Sequence, residues 1–180
     1  MKSLRPPSVV LCLLITCLFV SCASRPPLQT AGAVDLNRYA GTWYEVAAIP
    51  TWFQRRCASD TRAEYQPQPD GSILVVNRCL DSAGRTVSAT GRATVVEGTG
   101  NARLKVRFRG SPIAGDYWII GLDRDNYQWA VVGHPSRNYL WFLSRSLEVD
   151  EALMARMERI ARDNGYDTDR LVATKHQAGK

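Results

Sequence analysis

The chain has 180 residues, 45% hydrophobic and 22% charged, with a formal net charge of +6. That balance suits one globular domain with a sizeable core. The basic excess is small and dispersed, and no basic cluster is interleaved with stacking aromatics, so the composition argues against a nucleic-acid partner. Lys2 and Arg5 open the chain, "SVVLCLLITCLFV" from Ser8 to Val20 follows, and small residues run from Ser21 to Ser24. This is the pattern of a secretory signal peptide, and its apolar run is too short to span a membrane. Export removes Lys2 and Arg5 and lowers the net charge to +4, an excess that favours an acidic lipid surface.

"LFVSC", ending at Cys22, resembles the lipobox of bacterial lipoproteins, whose cysteine becomes the lipidated N-terminus; Phe19 stands where leucine is usual. Ordinary cleavage after Ala23, giving a soluble periplasmic protein, is the alternative. The next stretch, "ASRPPLQTAGA", is polar and Pro-rich and reads as a tether. Ala23-Ser24 lacks the aspartate associated with inner-membrane retention, so the resemblance points to the outer membrane. The expected organisation is a signal peptide over 1–21, a lipidated tether over 22–34, a folded domain over 35–175 and a tail over 176–180.

Beyond the tether, alternating or β-rich runs predict strands near 41–49, 59–66, 72–79, 86–97, 102–110, 116–123, 127–133 and 139–146. The connections are short ("PQPDG", "DSAGR", "EGTGN", "GSPIAGD", "DRDN", "GHPSRN"), which makes sequential strands antiparallel neighbours. Eight such strands lose both exposed edges by closing, so the expected fold is all-β, an eight-stranded antiparallel up-and-down barrel. From Asp150 the period becomes helical, with Leu153, Met154, Met157, Ile160 and Ala161 on one stripe. Asp150 is the expected N-cap and Gly165 the stop; the helix should pack outside the barrel, followed by a short strand near 170–174.

The strand count places functional residues. Trp43 starts strand one and Arg145 ends strand eight, and closure brings both to one rim, where a guanidinium over the indole would seal that end. The opposite rim carries the connections after strands one, three, five and seven. There Trp52-Phe53 reads either as a satellite cluster packed on the rim or as a lid or lipid-contacting lip. Cys57 and Cys79 lie equally far from the tip of the 68–72 turn, so that hairpin sets them opposite each other as a structural disulfide. Arg145 pointing inward puts Tyr139, Trp141 and Leu143 on the inner face of strand eight. Leu104, Val106 and Phe108 share one face of strand five, opposite Arg103, Lys105, Arg107 and Arg109. The candidate pocket is therefore Val106, Phe108, Tyr139 and Trp141, with Trp129 on strand seven if its parity allows. Small residues at Ala47 and Gly121 are expected to leave room beside Trp141.

"GTWYE" after "DLNRYA", "GDYWIIGLDRD" and "YLWFLSR" occur in that order and together resemble the three conserved blocks of the lipocalins, most closely the bacterial outer-membrane and apolipoprotein D-like members. The resemblance covers about residues 35 to 174; in the middle block Gly115 replaces the common threonine before Asp116-Tyr117. It implies a calyx for a hydrophobic ligand, often a fatty acid or lysophospholipid in bacterial members, and marks Gly41, Trp43 and Arg145 as architectural signature residues. It implies no cofactor.

Two other classes compete with lipid binding. An enzyme would need convergent titratable groups, yet only His134, in a predicted turn, and His176, in the tail, are present, without a Gly-X-Ser-X-Gly motif. No zinc spacing occurs, and "DRDN" is a turn too short for a calcium loop. The other is a structural or interaction protein of the envelope whose barrel is filled by its own side chains. The sequence leaves open whether two chains form a homodimer.

Overall fold

The computed structural model describes residues 27–177; the signal peptide, the lipobox and Cys22 lie outside the described residues. Eight antiparallel strands close into a barrel: β1 (Gly41–Ala48), β2 (Ser59–Pro67), β3 (Ile73–Leu80), β4 (Thr86–Val95), β5 (Arg103–Phe108), β6 (Gly115–Leu122), β7 (Trp129–Gly133) and β8 (Leu140–Ser144). Each pairs with the next, and β1 pairs with both β8 and β2. The helix α2 (Glu151–Asp163) starts at Asp150, whose side chain accepts from the Leu153 N–H. Its stripe lies outside the barrel against β6 and β7.

Two hydrophobic clusters follow from strand alternation. The inner one contains Trp43, Tyr65, Val75, Leu104, Val106, Ile119 and Leu143. The outer one joins Val46, Ile120, Trp129, Val131 and Phe142 to Met157 and Ala161 of α2. Two β-bulges decide which residues fall where. In β1 the register shifts between Glu45 and Ala47, so Trp43, Glu45 and Ala48 face inward while Ala47 joins the outer cluster. In β6 it shifts between Ile119 and Gly121, and a Cβ on Gly121 would meet Ile160 of α2 at 3.1 Å. The expectation that Ala47 and Gly121 open space beside Trp141 is thus corrected: both face out of the barrel, Ala47 into the outer cluster and Gly121 against the helix.

The stretch read as tether packs down over its second half. Leu28 and Val34 are buried, the Ala31 N–H donates to Ile119 O (2.9 Å), and Val34 N donates to Gly100 O (2.8 Å). A four-residue helix, α1 (Leu36–Tyr39), follows, capped by the Asp35 carboxylate, and passes beneath the barrel. At the other terminus, β9 (Val172–Ala173) adds to the upper half of β1, where β2 has diverged. Its extension is held by Thr174 N to Val46 O (3.0 Å) and Asp60 N to Lys175 O (2.8 Å), so His176 is not in a loose tail.

Candidate functional site

The closed end is built around Trp43, which is fully buried. Gly41 takes φ +92°, a left-handed conformation open to glycine, and a Cβ there would lie 3.3 Å from Arg145 Nη1. The Arg145 guanidinium sits 3.9 Å over the Trp43 ring. Its nitrogens also donate to the carbonyls of Thr42 (2.6 Å), Ala40 (2.7 Å), Arg38 (3.0 Å) and Tyr39 (3.3 Å). Arg145 therefore caps the C-terminal end of α1 as well as the indole, satisfying carbonyls that a helix end leaves orphaned.

Above Trp43 the floor is made of tyrosine. The Tyr39 and Tyr117 hydroxyls are 2.7 Å apart, and those of Tyr65 and Tyr117 are 2.9 Å apart. Burial pushes all three phenols up, Tyr65 to about 12 and the other two well above the ordinary 10.0. They are neutral, and three hydroxyl protons share two hydrogen bonds, which leaves one donor without a protein acceptor in the trio. Sequence reasoning missed this cluster, because Tyr39 enters through a helix too short to show a period.

Higher up, the inner face becomes small. Asn77 pairs with Ala63 and Ala89. Ala89 and Gly115 belong to the inward-facing set, yet both are exposed to solvent, so the upper interior communicates with the outside. The Asn77 carboxamide oxygen is buried there with no hydrogen-bond partner. Val106 is buried in the inner cluster, and Phe108 and Trp141 are partly buried against it. Tyr139 lies at the mouth, stacked at 6.1 Å on Trp141 and at 5.9 Å on Phe53. Trp129 does not join them: it packs in the outer cluster, with Arg156 of α2 4.8 Å from its ring centre. Its strand places Ala130 and Val132 inward instead.

A 3-10 turn, Trp52–Gln54, lies across the mouth. Gln54 Oε1 accepts from Trp141 Nε1 (3.1 Å), and its Nε2 donates to Glu45 Oε2 (2.8 Å). Glu45 Oε1 accepts from Thr174 Oγ1 (2.7 Å). Burial pushes the Glu45 carboxyl above its ordinary 4.5, outweighing the lowering by those two hydrogen bonds. The unfolded carboxyl ionises near 4.5 while the folded one holds its proton to higher pH, so stability is lost as pH rises through that window. Glu45→Gln is expected to match the parent's melting temperature below pH 4.5 and to exceed it increasingly as pH rises. Superimposable pH–stability curves would show that the buried carboxylate carries its charge at no cost.

The Cys57–Cys79 disulfide ties the end of this turn to β3, with 5.5 Å between the Cα atoms, as the hairpin arithmetic expects. His134 lies in the turn after β7. Its Nδ1 is 2.9 Å from Ser136 Oγ and accepts the Ser136 N–H at 3.1 Å. The ring's lone pair is thereby spent on closing a turn, where a general base would keep it for a nucleophile.

This fold, and much of the sequence that builds it, is shared with known proteins. The profile described as "Lipocalin-like domain" matches residues 34–176. The chain belongs to the lipocalin family. It is 36% identical over 167 residues to the outer membrane lipoprotein Blc of Vibrio cholerae, covering 92% of this chain and 96% of that protein. It is 29% identical to apolipoprotein D of Macaca fascicularis, covering 84% of this chain and 81% of that one. Lobster apocrustacyanin A1 shares the fold at a TM-score of 0.64 and 18% identity, over 84% of this chain and 91% of that one. Proteins of the lipocalin family are typically binding proteins.

Proposed function

We propose that this lipocalin binds an acyl lipid, a fatty acid or lysophospholipid, in its barrel and stores or carries it in the cell envelope. The observation that carries this reading is the division of the inner face. The largest polar-tipped rings gather at the floor, at Trp43, Tyr39, Tyr65 and Tyr117, while toward the mouth Ala89 and Gly115 face inward, carry little or no side chain and are exposed. A filled barrel would carry large side chains at every inward position. Each methylene buried contributes about 0.8 kcal/mol, so an acyl chain entering an apolar interior of this kind needs few polar contacts. Val106, Phe108, Trp141 and, at the mouth, Tyr139 are the proposed ligand contacts. The resemblance of "LFVSC" to a lipobox, together with relatives named outer membrane lipoproteins, supports an anchor at Cys22 and a periplasm-facing location on the outer membrane.

Titrating delipidated protein with fatty acids and lysophospholipids is expected to quench tryptophan fluorescence saturably. Trp141→Ala should weaken affinity about tenfold, equivalent to about 1.4 kcal/mol. No saturable binding by the parent protein would end the reading. Metabolic labelling with palmitate is expected for the parent and not for Cys22→Ala; a labelled Cys22→Ala protein would refute the anchor.

A further inference from the structure

The two ends of the barrel carry opposite charge. The open-end connections, 49–58, 81–85, 109–114 and 134–139, hold five arginines (55, 56, 85, 109 and 137) against one carboxylate, Asp81, a net +4. The closed-end connections, 68–72, 96–102, 123–128 and 145–150, hold six carboxylates against two arginines, a net −4. The overall excess of base conceals this separation.

Apolar exposure follows the same axis. Trp52 is 70% exposed, Ile113 75% and Phe53 49%, all on open-end connections. Among the described residues, Leu147 is the one strongly exposed large apolar side chain on a closed-end connection. Phe53 is braced from behind by Tyr139, which presents its neighbour Trp52 outward. Packing on the rim and an outward lip are therefore the two halves of one feature.

The N-terminal segment enters at the same end. Gln29 N donates to Asn164 Oδ1 (2.7 Å), and the Asn164 carbonyl accepts from Arg137 Nε (3.2 Å) in the 134–139 turn. Tyr166 Oη accepts from His134 N (2.7 Å) and donates to His134 O (3.0 Å). His134 in turn packs edge-on against Tyr139, beneath Phe53. A continuous line of contacts thus joins the chain's entry point to the aromatic lip. From Cys22 to Pro27 are five residues, which span at most about 18 Å.

From these three alignments we infer that the open mouth of the barrel docks against an anionic lipid bilayer. Trp52, Phe53 and Ile113 enter the interface, the exposed Arg55, Arg56 and Arg109 meet lipid phosphates, and the acidic closed end points away. Aromatic rings with one wet edge settle at headgroup depth. Basic side chains within a Debye length of an anionic leaflet are drawn to it, and carboxylates are repelled. An acyl chain could then pass between bilayer and barrel without crossing bulk water. This surface exists whether or not the interior takes a lipid, so the two readings fail separately.

The test uses full-length processed protein, purified from membranes and reconstituted into phosphatidylethanolamine vesicles containing about a quarter phosphatidylglycerol, with bromine high on the acyl chains. The Trp52 signal is the parent fluorescence minus that of Trp52→Phe. It is expected to be strongly quenched by brominated lipid, and the quenching should fall severalfold in neutral phosphatidylcholine vesicles, at high salt, and in the triple variant Arg55→Ser, Arg56→Ser, Arg109→Ser. Equal quenching of the parent and Trp52→Phe overturns the proposal. So does a concentration-dependent dimer in which Trp52 is shielded from lipid, since the lip would then be an interface between two chains. Trp52 quenching indifferent to anionic lipid and to the arginines overturns the electrostatic orientation. Fatty-acid titration of the same proteins in vesicle-free buffer is the separating control. The lip variants should bind as the parent does, and a failure there tells against the binding reading alone.

Discussion

Trp43→Ala is expected to destabilise the fold by about 4 kcal/mol, the middle of the range for truncating a buried aromatic. For a domain of this size that corresponds to a fall in melting temperature of about 8–16 °C. The indole is fully buried, donates through Nε1 to Tyr39 O at 2.8 Å, and stacks obliquely on the Tyr39 ring at 4.9 Å. Alanine would leave a cavity between α1 and the tyrosine floor, and Arg145, the flexible side chain over the ring, is held back from filling it by its hydrogen bonds to backbone carbonyls. Arg145→Ala removes the guanidinium from the other face of the ring and deletes its hydrogen bonds to the carbonyls of Arg38, Tyr39, Ala40, Thr42 and Tyr127, of which Tyr39 O keeps the Trp43 indole as donor. The two losses overlap, so a double-mutant cycle by urea denaturation should return a coupling of about 1–2 kcal/mol. Additive losses would mean that the contact over the indole contributes nothing and that Arg145 acts through the carbonyls alone. Arg145→Lys separates the contributions further: an ammonium keeps the charge but cannot spread its donors over all of those carbonyls.

This rim was legible in the sequence because it depends only on strand count. An even number of antiparallel strands returns the chain to its starting end, and closure places residue 43 beside residue 145 whatever the details between. The disulfide was legible for the same reason, since Cys57 and Cys79 lie equally far from one turn. The inner face of β5 was also readable, because "RLKVRF" alternates without interruption and Leu104 and Val106 fall in the inner cluster. Trp129 was not readable: "WAVVG" is apolar at all five positions and buried at all five, inward against the barrel and outward against α2. Alternation carries no parity where both faces are covered.

Ala47 and Gly121 were misplaced for a different reason. Each sits just past a bulge, and one extra residue reverses every later side chain on that strand. No local composition marks either bulge. The tyrosine floor was hidden because its members come from α1, β2 and β6, three elements whose common depth is set by barrel stagger. One signal for α1 does stand in the sequence: Asp35 as an N-cap before "LNRY", with its carboxylate accepting from Asn37 N (2.9 Å) and Arg38 N (3.3 Å).

Replacing the disulfide, as Cys57→Ser with Cys79→Ser, is expected to cost about 3 kcal/mol. The bridge closes a loop of 22 residues, and its removal returns that loop-closure entropy to the unfolded chain. The consequence should concentrate at the mouth. Cys57 is three residues beyond Gln54, and its N–H donates to Gln54 O at 2.8 Å, so the bridge fixes the far end of the turn that lies over the barrel. The turn itself is held separately, by Gln54 to Trp141 and to Glu45. If both restraints matter, the double-serine protein should release the proposed fatty-acid ligand faster than the parent while its floor stays intact. Stopped-flow displacement measures the first, and near-ultraviolet dichroism of the buried Trp43 and tyrosine set measures the second. A loss of stability with an unchanged release rate would place control of the mouth on the Gln54 hydrogen bonds. Gln54→Ala should then speed release even with the disulfide present. The opposite result, faster release from the double-serine protein and none from Gln54→Ala, would make the bridge the latch and the Glu45–Gln54–Trp141 network a means of keeping buried polar atoms paired.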